Sequence, residues 1–374
     1  MKTIRNIYIV NLAVRKKERV LVFSDSLTSE EEMDKRDRER RTDLPELAGR
    51  IAKTGEDLCD VTFFTYPSLG GHGIEPPEDL WRIAFGERIY RNLQKRGLMQ
   101  RLLVKDVSSE LIGEAKWIVK DLKADVVDAI VALSNYSTSH TMFRHLLTSC
   151  GGTRYASMPL FDEDMFNSSM KADWSQVAAR TEALVTALEV GETVELSAPN
   201  GTNLKIPVKG RNAIADTGIL NIPGSFGNLP AGEAFIAPLE GGTEGELVLD
   251  WAPTYRLKSS VILDIKEGMV RDVCGNDLYA DKLKEILWRD SNFRNVAELG
   301  IGTNDMARRA DNILESEKIM GTIHIALGDN SSFGGNINTP FHQDYIVFNP
   351  TLDLLTEKGE RKRLIDEGTL LVSV

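Results

Sequence analysis

The sequence predicts an α/β, doubly wound N-terminal domain over residues 1–190 and an α+β domain over residues 191–374 whose sheet is largely antiparallel. Three observations carry this. Strand-like and helix-like segments alternate through the first half, as in a mostly parallel sheet covered by helices. The run Val126 to Leu133 is almost continuously apolar, the character of a strand buried on both faces. Beyond residue 190 the texture changes to short alternating runs broken by Gly-rich turns.

The elements follow in order. "RVLVFSD" (Arg19 to Asp25) is a short β-branched run that reads as a strand. The charged stretch after it reads as a surface helix beginning near Ser29, with Ser29 and Glu32 at capping-box spacing. "DVTFFTY" (Asp60 to Tyr66) is a second strand, followed by the Gly- and Pro-rich loop "PSLGGHGIEPPED". Helix-like stretches then lead to the apolar strand at Val126, and a helix from Thr141 to Leu147 ends at "CGG". A longer helix begins at Asp173; Val177, Ala178, Leu184, Val185 and Leu188 recur at helical spacing, and Gly191 stops it. Asn200-Gly201 joins two alternating runs, a strong hairpin signal.

Composition excludes several classes. Apolar residues make up 42% and charged residues 27%, ordinary for a soluble globular chain. The net charge of −11 and the lack of a basic stripe argue against nucleic acid as a partner. Three cysteines without a C-x-x-C pattern argue against a disulfide framework or a zinc finger and fit a reducing compartment. No apolar run approaches the roughly 18 residues of a membrane span, and the first residues lack the apolar stretch of a signal peptide. The expected setting is cytoplasmic, with no membrane partner.

The chemistry concentrates in "TIHIALGDNSSFGGNINTPFHQD" (Thr322 to Asp344), which holds two of the five histidines. Strand side chains alternate between faces. His324 therefore lies opposite the apolar stripe Ile323, Ile325 and Leu327, beside small Thr322 and Ala326. In "FHQDY", His342 and Asp344 share one face. Glu233 opens the strand-like "EAFIAP", and Glu298 interrupts the apolar run "NVAELGIGTN". A carboxylate in such a setting is costly unless paired or coordinated. An ordinary ion pair with Arg294, Arg308 or Arg309 is the competing explanation. Together the three carboxylates and two imidazoles suit Zn, Co, Mn or Fe(II) better than a thiolate site does. Five ligands exceed what one catalytic zinc needs and fit two divalent metal ions sharing a carboxylate.

The set "GTNLKIPVKG", "NLPAGEAFIAP", "AELGIGTN", "EKIMGTIHIALGDN" and "FHQD" resembles the thermophilic metalloaminopeptidases, the leucyl aminopeptidase-like group that includes aminopeptidases T and S. The likeness is strong from about residue 195 to 370, and looser around "STSHTMFR" and "YASMP". It implies metal ligands at Glu233, Glu298, His324, His342 and Asp344, with Glu298 bridging. It also implies a hydrolase, a two-metal aminopeptidase that acts on small peptides, and a homodimer. Glu317 is then the candidate general base and Lys318 the candidate oxyanion partner, unless they form a surface pair at a helix end. His140 and Arg144, four apart, are candidates for binding the substrate carboxylate if their helix starts by Ser139. One position departs: where those enzymes place a tyrosine ligand, seven residues after the first histidine, this chain has Ser331. The same superfamily includes ring-cleaving 2,5-dihydroxypyridine dioxygenases, which hold a single Fe(II) with two histidines and a carboxylate. His324, His342 and Asp344 match that alternative.

Overall fold

The computed structural model describes residues 2–29 and 31–372. The chain forms two compact units, one from Met1–Met170 and Gly218–Pro230, the other from Lys171–Thr217 and Ala231–Val374. This differs from the expected single boundary at 190: the helix Trp174–Glu189 belongs to the second unit, and a short segment returns to the first.

In the first unit, β1 (Arg19–Ser26), β2 (Asp60–Pro67), β3 (Ala129–Ala132) and β4 (Arg154–Ser157) pair in parallel. Leu21 and Phe23 of β1 share a core with Leu80, Trp81, Phe85, Ile118 and Phe143, which come from three helices. The helix Lys35–Gly55 covers the other face, where its Gly49 backs onto the Phe63 ring. Ser29 does not start that helix. Asp34 does, its carboxylate accepting from the Asp37 amide at 2.9 Å. Glu31 instead pairs with Arg41, and Glu30 lies outside the described residues.

The chain then enters the second unit through the helix Trp174–Glu189, capped by Asp173, and lays down β5 (Gly191–Ser197), β6 (Asn203–Pro207) and β7 (Ile214–Asp216). β5 and β6 are the hairpin turned at Asn200-Gly201. It returns to the first unit for β8 (Phe226–Asn228), which joins β4 in parallel and completes the order β2-β1-β3-β4-β8. The second unit resumes with β9 (Glu233–Ile236), β10 (Glu244–Ala252), β11 (Tyr255–Lys266) and β12 (Met269–Cys274). After the helix Leu278–Leu287 come β13 (Val296–Gly302), β14 (Ile323–Gly328), β15 (His342–Val347), β16 (Thr351–Thr356), β17 (Arg361–Asp366) and β18 (Thr369–Leu370).

These strands make two antiparallel sheets, β12-β11-β10-β6-β5-β16-β17-β18 and β15-β14-β13-β9-β7. Both send alternate side chains into one apolar core. Val194, Leu247, Leu263 and Leu352 come from the larger sheet, and Ile236, Leu299, Ile323 and Ile325 from the smaller. Full burial of each such aliphatic side chain contributes about 1.5–3 kcal/mol. The smaller sheet thus has one face anchored in the core, and its other face is free for chemistry. No helix among the described residues is long and apolar enough to cross a membrane.

Candidate metal centre

Register brings the expected donors together on that second face. Directly paired residues of neighbouring strands share a face. Asp344, Ala326 and Glu298 form one row across β15, β14 and β13. His324, Gly300 and Phe235 form the next row, and Gly302, Glu233 and Asp216 the third. His342 pairs with Gly328 at the near end. Small residues separate the functional ones. Gly300 is required by close approach: a Cβ there would fall inside the His324 ring.

Glu298 sits at the centre. Its Oε1 lies 3.3 Å from His324 Nε2 and its Oε2 lies 3.5 Å from His342 Nε2. His342 Nε2 is also 3.5 Å from Asp344 Oδ1. Glu298, His342 and Asp344 each offer one donor atom within 4.8 Å of the others. His324 Nε2 is 3.5 Å from Glu233 Oε2, an atom that accepts no hydrogen bond among the described residues. The Nδ1–H of His342 donates to the Asp329 carbonyl at 2.8 Å, which turns Nε2 towards the carboxylates, where loss of its proton exposes a lone pair for a metal.

Glu317 and Lys318 follow the short helix Ile313–Ser316 and are not a surface pair. Lys318 is 0% exposed, and its ammonium lies 2.6 Å from Glu233 Oε1 and 3.0 Å from Glu317 Oε2. Glu233 and Glu317 thus share one fixed ammonium, on which Asp216 also acts, while Glu298 and Asp344 face the two imidazoles. The titrations reflect this. Burial pushes the Glu317 carboxyl up to about 8, with Lys318 opposing and Asp344 and Glu233 adding to the rise. Burial works against an imidazolium at His324, yet the Glu298 hydrogen bond and the surrounding carboxylates raise it to about 9. His342, opposed by burial and favoured by Asp344, rises to about 10. Burial also opposes ionisation of Asp344, but His342 outweighs it and holds the carboxyl well below its usual range. Buried carboxylates in this excess fit a bound cation.

The replacements conceivable for the missing tyrosine ligand are all engaged elsewhere. The Ser331 hydroxyl donates to Asp329 Oδ1 at 2.9 Å and accepts from Asn338. Asp329 Oδ1 also takes the Thr339 amide, and the Asn330 side chain spans Glu240 and the Ile337 amide. Tyr345 points into the apolar core, its hydroxyl 3.0 Å from that of Tyr279.

His140 and Arg144 belong to the first unit, and they do not share a helical face. The helix Met142–Leu146 is capped by Thr141, so exposed His140 precedes it. Arg144 Nε donates to the Ser139 carbonyl at 2.7 Å, and its guanidinium lies over the Phe226 ring at 4.4 Å. Two features of the metal face escaped sequence reasoning. Asp216 lies in register with Glu233, and Phe235, two residues after Glu233, shares its face. The period-two rule applied to "GEAFI" would have found Phe235.

Comparison with known proteins places this geometry. Residues 118–371 match the family described as NicX, 2,5-dihydroxypyridine 5,6-dioxygenase. No curated protein matches the chain. In fold the chain is similar to 2,5-dihydroxypyridine dioxygenase from Pseudomonas putida KT2440, with 17% identity and a TM-score of 0.69 over 100% of this chain and 96% of that one. It is also similar to wild-type AmpT from Thermus thermophilus, with 16% identity and a TM-score of 0.53 over 99% and 98%. The resemblance to aminopeptidase T therefore holds for the fold. The family match corrects the expected activity: aminopeptidase, hydrolase and metalloprotease give way to a dioxygenase relative, and Fe(II) fits that family better than a pair of Zn, Co or Mn ions.

Proposed function

The chain belongs to the 2,5-dihydroxypyridine 5,6-dioxygenase family, and from that premise we propose that it is a mononuclear metal-dependent dioxygenase that opens a dihydroxylated aromatic ring. His324, His342 and Asp344 are the proposed ligands of Fe(II), two imidazoles and one carboxylate with positions left open. The metal, when bound, supplies the one-electron chemistry that lets O₂ react with a closed-shell ring.

The observation that carries the reading is the unequal supply of ligands on the sheet face. Ser331 turns its hydroxyl into Asp329, and Lys318 already neutralises Glu233. One full ligand set is left, at the His342–Asp344 end, with Glu298 within 3.5 Å of both imidazoles to orient them. Glu317, beside Asp344 and pushed up by burial to about 8, is placed to exchange a proton with a substrate hydroxyl.

The test is anaerobic loading with Fe(II), followed by an oxygen-electrode measurement with 2,5-dihydroxypyridine. Equimolar oxygen uptake with loss of the ring absorbance is expected at one iron per chain, and His342→Ala abolishes it. Absence of uptake by the iron-loaded protein with every dihydroxylated pyridine and benzene tried sinks the reading.

A further inference from the structure

We propose that Phe333, on the loop between β14 and β15, is the wall against which the substrate ring packs, and that the Arg211–Glu240 pair fixes this wall; the proposal rests on the dioxygenase reading.

The loop runs from Asp329 to Phe341 with no helix or strand, yet it is tied to the site at its start, where the Asp329 carbonyl takes the His342 Nδ1–H. Its Phe333 ring meets the His342 imidazole edge-on, with centroids 5.9 Å apart and planes at 90°. The same ring meets Phe235 at 5.6 Å and 77°. Phe235 stands on the metal face of β9, two residues from Glu233. Phe235, Phe333 and His342 therefore make a continuous aromatic path between the strands that bracket the cluster, β9 and β15.

Neither phenylalanine joins the apolar core, and both are half-buried. Two aromatic rings kept partly open beside a charged cluster are out of place as packing. They are in place as one side of a pocket that combines an apolar wall with a few directed polar groups. The ligand this suits is a planar single ring with its oxygens turned towards His342 and Asp344, since aromatic rings favour edge-to-face or offset contacts at these separations.

A loop without regular structure positions a ring only if something else holds it. Glu240 does so. Its carboxylate accepts from Asn330 Nδ2 at 3.1 Å, from the Asn336 amide at 2.7 Å and from Asn336 Nδ2 at 3.3 Å. Arg211 pairs with Glu240 and also donates to the Gly334 carbonyl, next to Phe333. Asn330, fully buried, closes the turn by accepting the Ile337 amide at 2.9 Å.

The experiment compares the parent with Phe333→Ala, Phe333→Leu and Glu240→Gln. KM for 2,5-dihydroxypyridine is measured on the Fe(II) enzyme, and Kd for the same ring on the Zn(II)-loaded protein without oxygen. Phe333→Ala is expected to raise both by roughly ten-fold, the size of a lost aromatic contact, with kcat within about three-fold and metal content unchanged. Phe333→Leu retains part of the affinity, and Glu240→Gln raises KM by loosening the loop. If Phe333→Ala fails to fold, the other two variants decide. Unchanged KM and Kd in folded, metal-replete variants overturn the wall and leave the dioxygenase reading standing. Tight, Phe333-dependent binding to the Zn(II) protein without oxygen uptake by the iron form sustains the wall and sinks that reading. If the parent neither binds nor oxidises the ring, both are overturned.

Discussion

The two ends of the metal-bearing sheet face meet the same problem differently. At one end, on β9, Glu233 is a buried carboxylate answered by the ammonium of Lys318, 2.6 Å away. At the other, on β15, Asp344 is answered by the imidazole of His342, 3.5 Å away. An ammonium on a buried lysine is a permanent counter-charge. An imidazolium is a temporary one, since loss of its proton yields a lone pair for a metal. Five donors can therefore converge without making two equivalent metal positions.

The largest effect expected from this asymmetry is on stability. Lys318→Met leaves Glu233 and Glu317 buried without their cation, a change that costs about 3–5 kcal/mol when one partner of a buried pair is removed. Denaturant unfolding of the metal-free protein measures it. The double variant Glu233→Gln/Lys318→Met should recover much of the loss. A neutral Lys318→Met would mean that Lys318 is not the fixed counter-charge, and the distinction between the two ends would go.

The second expectation concerns metal affinity. Asp344→Ala should weaken Fe(II) or Zn(II) binding by well over about 100-fold, and Glu233→Gln by only about ten-fold, because loss of a ligand exceeds the effect of changing a neighbour. Competition against a chromophoric chelator reads both. Equal losses at the two positions would restore the picture of a shared, two-ion centre.

Much of this face was readable in advance. Period-two alternation put His324 opposite Ile323 and Ile325, and put His342 with Asp344. Glu233 and Glu298 stood out as charges in apolar runs. Lys318 could not be read this way: "ESEKIM" has the look of an exposed helix end, and only the non-local pairing of β9 with β13 brings Glu233 to it. Counting five donors without that ammonium gives two metals, and the resemblance to the metalloaminopeptidases then gives a peptidase. In the first unit the strands with long β-branched runs were visible, but β8 was not. It has three residues, Phe226–Asn228, no pattern of its own, and it pairs with β4 across some seventy intervening residues. The capping-box spacing of Ser29 and Glu32 pointed to the wrong helix start: Asp34 also carries a side-chain oxygen, and local sequence does not say which one the Asp37 amide will reach.

The smallest expected effect tests whether the two ends share a neutral support. Ile325 lies between His324 and Ala326 but points into the core, in register with Leu299 on one side and Tyr345 on the other. It backs the middle of the face, on β14 between β15 and β13. Ile325→Val removes one buried methylene and should lower stability by about 0.5–1.5 kcal/mol. Because the substitution leaves the strand register and every charged group in place, metal affinity should stay within about two-fold of the parent, a difference of about 0.4 kcal/mol. If chelator competition shows a ten-fold loss instead, the imidazole positions depend on tight packing beneath them. The difference between the ends would then reflect how firmly each is supported rather than which counter-charge it has.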